Sequence, residues 1–237
     1  MRKRGKKYQE IVKLVDQEKR YVPSEAVELA RKTSYVQFDA SVEIHLRMGA
    51  DPKHADQQVR GVALLPHGLG KQVRVLVFAQ GEDVRTAESA GANYIGDDET
   101  IKKIEGGWVD FDVAIATQEM MSKVGKLGRI LGRRGLMPNP RSGTVVQSAD
   151  LTRAIDEARK GRVEFRLDRS GVIHAVLGKV SFETQSLVDN LATLMEAIMA
   201  ARPSAVKGHY VRTAVLTTAM GPSIRLDVPA VTGLKLE

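Results

Sequence analysis

Two nearly continuous apolar runs, VRVLVFA (73–79) and FDVAIAT (111–117), constrain this chain more than any other feature. A strand that is apolar on both sides must be buried on both faces, and the covers have to come from intervening helices. GEDVRTAESAG (81–91) fits a short helix, NYIG (93–96) a brief strand, and TIKKIEGG (100–107) one or two helical turns. Helices over Gln118–Leu131 and Ala149–Lys160 would complete a parallel α/β unit.

On either side of this unit the pattern changes. SVEIHLRMG (41–49) alternates: Val42, Ile44, Leu46 and Met48 point one way, Glu43, His45 and Arg47 the other. This is the signature of a half-buried strand. QQVRGVALLP (57–66) reads as a second strand. VEFRLD (163–168) and VIHAVLG (172–178), joined by a turn at Arg169–Gly171, read as a hairpin. Short helices are expected over Tyr8–Val15 and Pro23–Thr33. A longer amphipathic one is expected over Glu183–Ala201, with Leu187, Leu191, Leu194 and Ile198 on one face. VRTAVLTTAMG and SIRLDV close the chain as strands.

Charge follows the same division. Residues 68–159 hold 13 Lys/Arg and 13 Asp/Glu, whereas the rest holds 23 and 16, the whole of the net +7. A neutral middle between two basic flanks of similar style points to one discontinuous domain with the α/β unit inserted. The basic excess favours an anionic partner, nucleic acid being the commonest. The absence of cysteine excludes disulfides and thiolate chemistry, and it fits a reducing cytoplasm. No run nears the eighteen apolar residues of a membrane span, and no apolar segment follows the basic MRKRGKKYQE as in a secretory signal.

The motifs of catalysis and cofactor binding are poorly matched. GLGKQV (68–73) precedes its strand instead of following it, and GKLGRILG (125–132) has the wrong glycine spacing for a dinucleotide fingerprint. Lys71 and Lys126 are followed by Gln72 and Leu127, not by the Ser or Thr of a P-loop. No two of the five histidines have metal-ligand spacing, and no nucleophile elbow is present. Asp110 and Asp112 share one side of a strand, where an acid pair is more often a solvated face than a catalytic dyad. The expectation is no enzyme, no cofactor and no metal.

Nucleic-acid binding has more support. Arg2, Lys3, Arg4, Lys6 and Lys7 form a phosphate-seeking, flexible arm. Lys126, Arg129 and Arg133 share one helical face if that helix runs to Gly132, with Val124, Leu127 and Leu131 on another, and the face ends in GRRG, which adds Arg134. With aromatics at only 5%, bases stacking on an aromatic sheet are not expected. A structured RNA read through its backbone and shape fits better.

Four segments in order, VRGVALLPHGLGK (59–71), GWVDFDVAIAT (107–117), KLGRILGRRGLMPNPRSGTV (126–145) and TTAMGPS (217–223), resemble the ribosomal protein L-one family over essentially the whole chain. The resemblance implies an α/β protein of two domains. A discontinuous α+β sandwich domain of split β-α-β type (1–67 with 160–237) would bind RNA, and a Rossmann-like three-layer α/β domain (68–159) would be inserted in it. Connections near Leu65–Gly70 and Arg159–Arg162 would act as a hinge. It further implies a monomer in the cytoplasmic ribosome, bound to the 23S rRNA of the large subunit's mobile lateral stalk. There it would assist release of exit-site tRNA, and it would repress translation by binding its own operon mRNA. Carried over by position, the RNA contacts would be Phe38, Ser41, Arg166, Asp168, Ser170, His174, Met220 and Gly221, with Arg4, Lys6 and Lys7 from the arm. Lys126, Arg129, Arg133 and Arg134 would be auxiliary phosphate contacts. Ala219 stands where the family usually has Thr, so one hydroxyl is missing, for which Thr218 or Thr217 is the expected substitute.

Overall fold

A computed structural model describes residues 5–235. Along the chain, α1 (Lys6–Val12) and α2 (Pro23–Lys32) precede β1 (Ser41–Met48) and β2 (Arg60–Leu64). Next come β3 (Val75–Phe78), α3 (Glu82–Ser89), β4 (Tyr94–Ile95), α4 (Asp98–Glu105), β5 (Val113–Thr117), α5 (Met121–Val124), α6 (Gly128–Arg134), β6 (Val145–Val146) and α7 (Leu151–Arg159). The chain closes with β7 (Arg162–Arg166), β8 (Val172–Lys179), α8 (Thr184–Ala200), β9 (Val211–Thr218), β10 (Ile224–Leu226) and α9 (Val228–Thr232). The architecture is α/β, in two compact units. One runs to Gly70 and resumes at Val163; the other is Lys71–Arg162.

In the Lys71–Arg162 unit a parallel sheet has the order β4-β3-β5-β6. Its central strands are apolar but for Thr117, because successive side chains enter different cores. Leu76, Phe78, Ala114 and Ala116 pack with Ile101, Ile104, Val124, Leu127 and Leu131 of α4 to α6. Val75, Val77 and Ile115 pack on the opposite face with Ala87 of α3 and Leu151 and Ile155 of α7. The result is three layers, helix–sheet–helix.

The other unit has an antiparallel sheet of order β10-β9-β1-β8 and a separate pair, β2-β7. The alternation of β1 is realised: Val42, Ile44, Leu46 and Met48 are buried. They join Leu187, Leu191, Leu194 and Ile198 of α8, and Ala26, Val27 and Ala30 of α2, in one core. Asn190, fully buried in α8, donates to the carbonyls of Leu177 (2.7 Å) and Gly68 (3.0 Å) and accepts from the His67 amide (3.1 Å). It fastens the 67–68 turn to helix and sheet.

Three local expectations are corrected. β7 and β8 do not form a hairpin ladder: one bridge, Leu167↔Ile173, joins them, while β7 pairs with β2 and β8 with β1. The helix expected over Gln118–Leu131 is α5, a 3₁₀ turn (Gly125–Leu127) and α6, which continues past Gly132 to Arg134. It stops where Gly135 turns left-handed (φ +72°) and its amide meets the carbonyls of Leu131 and Gly132. Lys6 and Lys7 open α1 instead of lying in a flexible arm. Arg4 lies outside the described residues.

Candidate nucleic-acid interface

At one end of the antiparallel sheet, register brings Ser41 opposite Lys179 and Val42 opposite Thr218. The Ala219 amide donates to the Ser41 carbonyl (2.9 Å), and the Lys179 ammonium donates to the Ser41 hydroxyl (2.9 Å) and the Asp39 carbonyl (3.3 Å). β9 then ends in a tight turn closed by the Gly221 amide on the Thr218 carbonyl (2.8 Å). Met220 within it has φ +67°, the one positive value outside glycine among the described residues, and its side chain is 70% exposed. Phe38, three positions before β1, is 58% exposed. Neither is core. Both are large apolar groups held out in solvent, beside a serine hydroxyl and a lysine charge.

Gly221 admits no side chain here: a Cβ would lie 2.1 Å from the Thr218 hydroxyl oxygen. That hydroxyl is buried without a hydrogen-bond partner among the described residues, and Thr218 is only 3% exposed. Thr218 therefore does not replace the hydroxyl missing at Ala219; it faces inward beneath the turn. The Thr217 hydroxyl is half-buried and donates to the Thr218 carbonyl (3.1 Å). Lys179 is a member of this rim that sequence reasoning missed. The cue was available only through register, which sets the end of β8 against Ser41.

Asp168 and Ser170 lie in the turn that enters β8, where Val172 pairs with Arg47, and Arg166 ends β7 just before that turn. At about 3.3 Å per strand residue the Ser41–Lys179 rim and the turn before Val172 are ~20 Å apart, at opposite ends of β8. Asp168 accepts from the amides of Ser170 (2.8 Å) and Val172 (2.7 Å) and faces His174 Nε2 at 3.5 Å. Burial alone would raise its pKa, but these contacts outweigh it and hold it below the usual value. Its carboxylate thus organises the turn, leaving Arg166 and Ser170 exposed around it. Between the two ends, His174 Nδ1 meets His45 Nδ1 at 2.8 Å, and His45 Nε2 faces Glu43 at 3.9 Å. Burial, then the neighbouring His174, lowers the pKa of His45 against the pull of Glu43. A bond between two ring nitrogens needs one of them unprotonated, so this pair is a proton-sensitive seam across the open sheet face.

In the other unit Lys126, Arg129, Arg133 and Arg134 are exposed, and Val124, Leu127 and Leu131 are fully buried. The loop that follows is organised by its own hydrogen bonds. Thr144 accepts from the Asn139 amide (2.8 Å), Asn139 accepts from the Arg141 amide (2.8 Å), and Ser142 is buried. Its small polar residues shape the loop, and the arginines remain outside. Asp110 and Asp112 are ion-pair partners: Asp112 accepts from Lys71 (2.7 Å) and Arg74 (3.2 Å), and Asp110 from Arg74 (2.5 Å). Burial pushes Asp112 up, but Lys71 and Arg74 prevail and bring it to about 2, the behaviour of a fixed anion and not of a general acid.

A two-unit α/β chain with charged and apolar groups on an open sheet, and its acid pair spent on ion pairs, has the character of a binding protein. The sequence profile of the Ribosomal protein L1p/L10e family matches residues 30–222. The chain is 60% identical to the large ribosomal subunit protein uL1 of Dehalococcoides mccartyi strain BAV1 over 230 residues, 97% of each chain. It is 57% identical to that of Chloroflexus aggregans over 237 residues, 100% of each. The chain belongs to the Ribosomal protein L1p/L10e family, whose members are non-catalytic, and it is not an enzyme. Among the described residues no helix is long and apolar enough to cross a membrane.

Proposed function

We propose that this protein is a structural constituent of the large ribosomal subunit that binds the 23S rRNA of the lateral stalk through the unit built from both chain ends. The observation that carries this reading is Met220. An unbranched apolar side chain is held at a positive φ and exposed to solvent, on a turn that tolerates only glycine next to it. Positive φ costs a non-glycine residue roughly 1 kcal/mol or more, a cost commonly met at functional sites. Backbone approach at Gly221, the Ser41 hydroxyl and the Lys179 charge suit an RNA minor groove with its 2′-hydroxyls and phosphates. As part of the same reading, the cytoplasmic, ribosome-bound protein assists release of exit-site tRNA, with Lys126, Arg129, Arg133 and Arg134 as auxiliary phosphate contacts. The surface that holds ribosomal RNA also takes the operon messenger.

Binding to a stalk RNA fragment and to a scrambled control, across a salt series, tests the reading. The expected result is clear preference for the stalk fragment, reduced about tenfold or more by Met220→Ala or Phe38→Ala, a loss of about 1.4 kcal/mol. Equal affinity for both RNAs would overturn it. The stalk fragment should also displace the messenger; simultaneous binding of the two would sink the repressor role.

A further inference from the structure

The unit formed by both chain ends carries a second basic surface, at the end of β9 opposite Met220. A groove of about 800 Å³ is lined by Arg20, Arg202, Lys207, Tyr210 and Arg212, and an adjoining cavity that shares Arg20 and Arg212 adds Arg225. Among the described residues no Asp or Glu lines either part. The fold assembles these charges from separate segments. Tyr21 bridges to Leu226, its amide donating to the Arg225 carbonyl (2.9 Å), which docks the Arg20 segment on the outer edge of β10. Arg202 donates to the carbonyls of Val206 (3.1 Å) and Gly208 (3.0 Å), which orders the loop presenting Lys207. It also lies 5.7 Å from the Tyr210 ring centre.

Arg20, Lys207, Arg212 and Arg225 are exposed, and among the described residues none has a carboxylate partner. Among the described residues Arg202 bonds only to backbone carbonyls and has no carboxylate partner either. Like charges gathered without counter-charges repel, which leaves the groove complementary to a polyanion. A second observation lies in the groove wall. The Tyr210 hydroxyl is buried, has no hydrogen-bond partner among the described residues, and is pushed up to about 12 by burial, so it remains a donor.

We propose that this groove is a sequence-independent track for an RNA phosphate backbone, distinct from the Phe38–Met220 rim and lying ~25 Å from it along β9. The proposal rests on the RNA-binding reading above. It divides labour within one unit: the rim selects, and the track holds whatever backbone continues past it.

The test uses the full chain carrying Arg20→Gln, Lys207→Gln, Arg212→Gln and Arg225→Gln together, with thermal melting to confirm the fold. Each phosphate contact contributes about 0.7–0.9 to the slope of log K against log salt. The slope is expected to fall by about 3 on both the stalk fragment and the scrambled control, with the ratio of the two affinities unchanged. The matching variant with Lys at the three arginine positions should keep most of the slope, because charge is what the track supplies. An unchanged slope on both RNAs would overturn the track, as would loss of binding to polyglutamate with RNA binding intact, which would assign the groove to an acidic protein. If the wild-type protein shows no preference for the stalk fragment, the functional reading fails instead, and the slope on the scrambled RNA still decides the groove.

Discussion

Met220, Gly221 and Thr218 form a unit in which stability and binding can be separated. Met220→Gly relieves the positive φ, so the melting temperature should rise by the equivalent of up to ~1 kcal/mol while RNA affinity falls. A residue that served packing alone would show both falling together. Gly221→Ala drives a methyl into the Thr218 hydroxyl and should cost about 1–3 kcal/mol. Thr218→Ala in the same chain removes that oxygen and should restore part of the loss, a coupling that a double-mutant cycle of melting curves would measure. None of this geometry was legible in the sequence. Phe38 and Met220 are apolar letters, and apolar letters are usually core; the family resemblance singled both out, and the turn at Thr218–Gly221 and the entry to β1 show that they face solvent.

At the scale of elements, β1 and β8 are joined across the open face by the His45–His174 contact, with Glu43 and Asp168 at its two ends. Folding lowers the pKa of His45, so near pH 6 the unfolded chain binds that proton more readily than the folded one. Its contribution is therefore intact above about pH 7 and declines as pH falls through ~6.5 toward the lowered folded value. His45→Gln should flatten this part of the stability–pH curve. His174→Gln should flatten it only in part, because burial is the larger cause. In α8, Asn190→Ala would strand two carbonyls and an amide, and urea melts should show a loss of about 2–4 kcal/mol.

The strands were readable wherever their periodicity reports burial: β1 through alternation, β3 and β5 through continuous apolarity. The false hairpin shows the limit. β7 finds its partner in β2, and the Arg60–Glu164 pair that marks this pairing spans 104 positions, beyond any local signal. The break between α5 and α6 was hidden for another reason. Gly125 and Gly128 keep helical dihedrals, and only the hydrogen-bond pattern tightens to 3₁₀ between them.

At the scale of the molecule, the chain crosses between its two compact units twice, at 70/71 and 162/163. Each unit has its own buried core, so calorimetry should resolve two transitions. Asn190→Ala should lower the one belonging to the unit that contains α8 and leave the other in place. A chain in which residues 1–70 are joined directly to 163–237 by a short linker should keep RNA specificity, and the isolated 71–162 segment should lack it.

The place of β1 between β8 and β9 sets an order of events during synthesis. His45 waits for His174, 129 positions later, and Ser41 for Lys179, 138 positions later. The 71–162 segment holds all its own strand partners and can fold as soon as it leaves the exit tunnel. The earlier-made β1 stays unpaired, with its apolar side of Val42, Ile44, Leu46 and Met48 uncovered, until most of the chain has emerged. At ~5–20 residues per second that interval lasts many seconds. During it the nascent chain offers a strand edge for chaperones to shield, and truncated products ending before β8 should aggregate where the full-length protein does not.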